Sequence, residues 1–200
     1  ALSTSGLLNP QLGGRSIYPP APEFLFKPPV SYGPKVWKVE EGDQKYRRSL
    51  YVFKFRSVPY PVLQTFDAPN GDFSCVRRER SNTPLQSLIT LNETQFMDCA
   101  RELAKRALND GGDSHEDRLD YAFRRVLSRN PSPKEMQQIQ KLWDDQVAYI
   151  SEGWVNPIEL ATGGTEVPSD LAKGATVTQL AAYTVVARVL LNLDETITKE

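Results

Sequence analysis

Eight of the chain's fifteen prolines fall within its first sixty residues, most of them in YPPAPEFLFKPP, residues 18–29. A proline ring fixes φ and removes an amide donor, so this spacing forbids a continuous helix and fits a sheet only at its edges. Residues 1–35 are therefore read as an extended, polyproline-like strap. Tyr18, Phe24, Leu25, Phe26 and Val30 are interleaved with the prolines. A solvated linker has no use for so much apolar area, and the strap is expected to lie in a groove supplied by other residues.

The next stretch, residues 36–82, reads as a small two-stranded β element followed by an arginine-rich loop. VWKVE and SLYVFKFRSV are rich in aromatic and β-branched residues, and the second alternates Leu50, Val52, Lys54 and Arg56 with Tyr51, Phe53 and Phe55. That alternation predicts a strand with one aromatic face, paired to the first as a hairpin across EEGDQKYRR.

From residue 83 to 200 the pattern turns helical. Thr83, Pro84 and Gln86 form a capping signature, Asn92 with Gln95 a second, and Ser132, Pro133 and Glu135 a third. Between these signals the apolar residues recur at helical spacing, as in Phe96, Cys99, Ala100, Leu103, Ala104 and Ala107. Residues 153–177 read as a loop. The closing segment from about Thr178 to Leu191 is apolar on nearly every side and belongs in the middle of a bundle. The expected fold is mainly α: one domain over residues 1–200, a bundle of about five helices crossed by the strap and the small β element.

Composition excludes several classes. The longest apolar run, LAAYTVVARVLLNL, is broken by Arg188 well short of the roughly 20 residues that cross a bilayer, so no membrane span is expected. The opening residues lack both an initiator methionine and the basic start and apolar stretch of an export signal, which reads as processing or truncation at this end. Cys75 and Cys99 are too few for a disulfide framework or a cysteine zinc site and are read as unlinked thiols. The one histidine, His115, sits in a polar turn far from both, which gives cysteine–histidine catalysis no support. Residues 45–80 carry a local charge of +5 against −6 for the remainder. Tyr46, Tyr51, Phe53 and Phe55 could serve a nucleic-acid surface there, but no RNA-binding signature accompanies them and the pI is near 6.0, so no nucleic-acid partner is expected.

The segments SGLLNPQLGG, YRRSLYVFKFR, TFDAP, CVRRERSNTPLQSLITLN and VVARVLLNLDETITKE occur in this order. Together they resemble the C-terminal part of the planctomycete-type domain of unknown function (domain of unknown function 1553), which follows cytochrome-c-like and related domains in large exported proteins. The resemblance implies an extracytoplasmic, periplasmic-type location. It also implies helices upstream of SGLLNPQLGG, and haem c carried by a separate domain or partner chain. Neither cysteine here precedes a histidine, so no cofactor is expected in this chain.

Within CVRRERSNTPLQSL the candidate site comprises Arg77, Arg78, Arg80, Asp67, Asn82 and Thr83. As a ligand site the three guanidiniums would clamp an anion at the start of a helix, a sulfated or acidic polysaccharide or a haem propionate. As an internal brace they would pair with Asp67, Asp72 or Glu79 or pin loop carbonyls, while Asn82 and Thr83 cap the helix. The brace is the reading adopted, because irregular segments need side chains to satisfy buried backbone. No catalytic residue is assigned. The expected function is a noncatalytic structural or docking module of an exported, cytochrome-c-associated assembly. Its partners would be the upstream part of the polypeptide, another subunit or a cytochrome c domain. The alternative is an enzyme or binding unit for anionic polysaccharide.

Overall fold

The computed structural model describes residues 1–27, 36–56, 58–69, 71, 74–78, 81–172 and 174–198. Val30, Asp72, Glu79 and Arg80 lie outside the described residues. The Cα trace divides into two compact units, residues 7–89 and residues 90–200 joined by residues 1–6. Each unit is built on a different principle.

The larger unit is helical. Its elements are α1 (Leu2–Ser5), the end of α3 (Pro84–Asn92), α4 (Thr94–Asp110), α5 (His115–Leu127), α6 (Pro133–Ser151), α7 (Pro157–Thr162), α8 (Val177–Leu191) and α9 (Asp194–Ile197). As its all-round apolar character demands, α8 packs against α4, α5, α6 and α7, and Leu180, Tyr183, Val186, Ala187 and Leu190 are among its buried residues. The small residues Ala100, Ala104 and Ala107 on α4 and Ala181 and Ala182 on α8 leave almost no surface exposed, which lets the two helices approach closely.

Helix starts follow their caps. Ser132 and Glu135 form the expected reciprocal box at α6, and Thr176 with Gln179 forms an unforeseen one at α8. The expected cap at Asn92 is displaced by one residue. Because α3 continues through Asn92, Glu93 is the first residue to leave helical geometry, and its carboxylate accepts from the amides of Gln95 and Phe96. The expected loop 153–177 contains α7, capped by Asn156 ahead of Pro157 and anchored by Ala161, which is fully buried.

The unit 7–89 contains α2 (Pro61–Thr65), most of α3 and 3₁₀ turns at Glu23–Phe26, Gly42–Tyr46 and Ser49–Tyr51. The predicted hairpin does not form. Among the described residues extended pairing is limited to two isolated parallel bridges, Asn9 with Arg47 and Ile17 with Val52. Both expected strands attach to the strap: the amide of Ile17 donates to Tyr51 O (2.8 Å), that of Phe53 to Ile17 O (2.9 Å), and that of Glu40 to Tyr18 O (2.9 Å). Pro19, Pro20 and Pro22 then remove the donors a ladder would need to continue. The mainly helical expectation holds, with five helices of more than seven residues among the described residues and no sheet among them to supply the β element.

The groove that the strap required is made of rings. Trp37 stacks on Phe26 (centroids 4.9 Å, planes 11° apart) and on Tyr60 (5.7 Å, 11°) and meets Tyr18 edge-on at 5.2 Å. Phe53 stacks on Tyr18 at 5.2 Å and contacts Phe55 at 5.0 Å. The polar ends of the rings bind the strap's carbonyls: Trp37 Nε1 donates to Pro19 O (2.7 Å) and Tyr60 Oη to Pro20 O (3.1 Å).

Candidate functional site

The segment singled out in the sequence closes onto the end of α2. Asp67 adopts φ 54°, a left-handed conformation that aspartate tolerates better than most residues, and turns the chain after Thr65. Three consecutive residues are then held from 78–86. Gln86 Nε2 donates to Thr65 O (2.9 Å), Arg78 Nη2 to Phe66 O (3.1 Å), and Ser81 donates to Asp67 Oδ2 from its amide (3.1 Å) and its hydroxyl (2.6 Å).

Gln86 is the hub of this arrangement and is 1% exposed. Its Oε1 accepts from the amide of Thr83 (3.1 Å), while its own amide N–H donates to Thr83 Oγ1 (3.3 Å), completing the capping box that the sequence announced. Its Nε2 reaches both Thr65 O and Ser81 Oγ (3.0 Å), which no sequence pattern announces. One amide side chain thus caps α3 and fastens it to α2.

The candidate residues separate. Arg78 and Asp67 belong to the clamp, and Thr83 belongs to the cap; Asn82 is exposed beside it. Arg77 is exposed and forms no ion pair with a described residue; Arg80 lies outside the described residues. Asp67, expected among the counter-charges for the guanidiniums, accepts two bonds from Ser81, while Asp72, Glu79 and Arg80 of the same expectation lie outside the described residues. Cys75 is exposed, with its Sγ 3.3 Å from Arg77 O. Cys99 is buried and unlinked, its thiol pushed up to about 11 by burial.

Sequence reasoning missed the most committed arginine, Arg47, which is 3% exposed. Its Nη1 donates to Arg15 O (3.0 Å) and its Nη2 to the carbonyls of Gln11 (3.3 Å) and Gly13, with the guanidinium 3.9 Å above the Tyr51 ring. The phenol of Tyr51 in turn accepts from the amide of Gly13 (2.9 Å). A cation so placed with no carboxylate among the described residues is stabilised by carbonyl dipoles and the ring face. The helical unit also sets arginines on main-chain carbonyls, although Arg101 has the carboxylate of Asp98 at 3.4 Å as well. Arg101 Nε donates to Leu160 O (3.1 Å), Arg125 Nε to Thr4 O (3.0 Å) and Arg188 Nε to Leu91 O (2.9 Å). Each receives a carbonyl from the C-terminal part of a helix, where intrahelical donors run out. At Gly163, the left-handed cap of α7, an added Cβ would lie 2.7 Å from Arg101 Nη1.

The acids Asp194 and Glu195 near the end of the chain are engaged in the helical unit. Glu195 accepts from Arg129 at 2.7 and 2.8 Å, and Arg129 also holds Glu135 at 2.7 and 3.1 Å. Asp194 starts α9 and accepts from Thr198. Among the described residues no group of three or more His, Cys, Asp or Glu side chains could hold a metal ion, and no helix is long and apolar enough to cross a membrane. Phe53 and Phe55, weighed as stacking platforms, lie within the ring cluster.

A family model described as "PSD1: Protein of unknown function (DUF1553)" matches residues 1–143. The match covers the whole of the unit 7–89 and ends within α6, whereas the helical unit continues to residue 200 around α8. No curated protein and no solved structure matches the chain.

Proposed function

From the premise that the chain belongs to the PSD1 family of proteins of unknown function (DUF1553), we propose that it is a noncatalytic docking module of an exported, cytochrome-c-associated assembly. Its partner would be another part of the same polypeptide or a separate subunit, outside the cytoplasm, with any haem c on that partner. The location and the cytochrome company come from the resemblance to planctomycete-type exported proteins. The observation that carries the docking reading is apolar surface on the unit 7–89. Leu12, Phe24, Val36, Leu50, Leu85 and Leu88 are each more than half exposed, although the same unit gathers six aromatic rings into a core. Single exposed apolar residues are ordinary, but this many on one small unit favours a surface that meets another protein.

The experiment is a Phe24→Ser/Leu50→Ser double variant of the whole chain. The native chain is expected to bind a hydrophobic dye or self-associate, and the variant to lose that behaviour at unchanged melting temperature. A native chain that stays monomeric and binds no dye removes the reading.

A second reading, a unit that binds anionic polysaccharide, is supported by the exposed Arg77, which forms no ion pair with a described residue. Dextran sulfate is the probe. Binding that disappears in Arg77→Ala with melting unchanged supports polysaccharide recognition. Arg78→Ala is the contrast: as a brace residue its loss lowers stability whether or not the polysaccharide binds.

A further inference from the structure

His115 is the only histidine of the chain and the first residue of α5. It reaches two other helices. Its Nδ1 lies 2.7 Å from Tyr183 Oη on α8, and its ring centroid lies 4.0 Å from that of Trp143 on α6, with the planes 42° apart. Trp143 and Tyr183 also touch, at 5.7 Å, so the three rings form a closed contact joining α5, α6 and α8. Tyr183 is 3% exposed. His115 Nε2 and Trp143 Nε1 are both shut off from solvent with no hydrogen-bond partner among the described residues.

The orphan Nε2 decides which charge state fits. In the neutral imidazole with the proton on Nδ1, that N–H donates to Tyr183 Oη and Nε2 keeps a bare lone pair, the cheaper group to leave unpartnered. The imidazolium carries N–H on both nitrogens, and the second would point at no acceptor. From α5 itself, Arg118 and the positive end of the helix also oppose the cation. From α6, Asp144 and the face of Trp143 favour it. From α8 comes Tyr183, whose phenol burial pushes up to about 12, so it stays neutral and supplies no counter-charge. Burial is the largest influence and holds the ring's proton affinity below the ordinary histidine value.

We propose that His115 is a proton-operated latch: neutral, it fastens the start of α5 to Trp143 and Tyr183, and protonated, it releases that end of the helix. A base whose pKa is lowered by folding contributes stability that is present above its unfolded value of about 6.5 and is lost as the pH falls through that value toward the folded one. Acidification therefore loosens the first turns of α5 before it touches the core around α4 and α8.

With a single histidine, the imidazole carbon–proton NMR signal of the whole chain reads the latch directly. The expected result is a midpoint below 6.5, together with amide exchange in residues 115–119 that, corrected for the intrinsic rate, speeds up by as much as tenfold per pH unit below about 6.5. In Tyr183→Phe the midpoint is expected to move and the pH dependence of protection to flatten. His115→Phe, which fills the same space without titrating, should lose that dependence altogether. A midpoint at or above 6.5 overturns the proposal. So does a low midpoint with protection of residues 115–119 unchanged across it.

Discussion

The two units solve the same problem, satisfying the backbone, in opposite ways. In the helical unit most amides and carbonyls are paired within helices, and side chains are left to fill the core or finish the ends. In the unit 7–89 prolines and short turns leave carbonyls without backbone partners, so side chains take over: Arg47, Trp37, Tyr60, Arg78 and Gln86 each donate to main-chain oxygens, and Lys54 holds Pro69 O at 2.7 Å. A ladder spreads its contribution over many bonds of about 1 kcal/mol each. A few anchoring side chains concentrate it. The unit 7–89 should therefore be fragile at named points, and the helical unit should be tolerant of any one polar loss.

The largest expected effect is Trp37→Ala. It removes the half-buried ring at the centre of the aromatic cluster and the donor to Pro19 O, a change of about 3–4 kcal/mol, in the lower part of the range for a fully buried Trp or Phe. Near-UV circular dichroism should lose its aromatic signal on heating well below the wild-type temperature. If the variant melts as the wild type does, the rings are not the core of that unit. Arg47→Ala comes next, at about 3 kcal/mol, because it strands the carbonyls of Gln11, Gly13 and Arg15. Arg47→Lys should recover only part of this, since an ammonium has no planar fork to reach all three carbonyls. A full recovery would show that charge, not geometry, matters there. Gln86→Ala is expected to cost about 2 kcal/mol in urea denaturation, through the loss of its side-chain bonds to Thr65 O, Ser81 Oγ and the Thr83 amide.

The same contrast explains what could be read from the residues alone. Helical periodicity and caps are local, so α4, α5, α6 and α8 were legible, as were the boxes at Thr83 and Ser132 and the central place of α8. The strap over residues 1–35 was legible as apolar from its proline and aromatic chemistry, but Leu2–Ser5 is helical and part of the larger unit, Glu23–Phe26 is a 3₁₀ turn, and residues 28–35 lie outside the described residues. The partners of the aromatic strand were not legible: a run of Tyr, Val and Phe shows a face to be covered but not what covers it, and the strap took the place of the expected hairpin partner. Which arginine carries most of the bracing was not legible for a related reason. Carboxylates are visible in a sequence, whereas carbonyls that lack a donor are visible only in a fold. Arg77, Arg78 and Arg80 stand out in the sequence by their clustering, whereas nothing local marks Arg47. The displacement from Asn92 to Glu93 was a matter of one residue, decided by how far α3 runs.

In the helical unit the informative changes are protonic and modest. Glu93 is mostly buried at the start of α4, and desolvation raises its pKa to about 7 even though two amides donate to it. A carboxyl with a raised folded pKa favours the folded state when protonated. Its contribution is fully present below the unfolded value near 4.5 and is lost as the pH rises through 7. Glu93→Gln keeps an acceptor and cannot ionise. It should stabilise the chain at pH 8 by about 1–2 kcal/mol and have little effect at pH 4. A destabilised variant at pH 8 would mean that the charged cap is worth more than the desolvation it suffers.

The smallest effect is expected at Arg129, although its geometry looks the strongest in the chain. It holds Glu135 and Glu195 with paired bonds and lies 4.9 Å over Phe123, and its presence draws the pKa of Glu135 down to about 2 and that of Glu195 below the usual range. These groups stand in water, where screening and side-chain entropy offset most of the attraction. The sign is opposite to that of Glu93. Stability linked to these depressed carboxylates is present above the unfolded value near 4.5 and is lost as the pH falls toward about 2. Arg129→Ala should thus lower the melting temperature least of these variants at pH 7, with the difference shrinking further in high salt. A loss as large as that of Arg47→Ala would break the comparison between the units, because it would show that the helical bundle too depends on a single polar anchor.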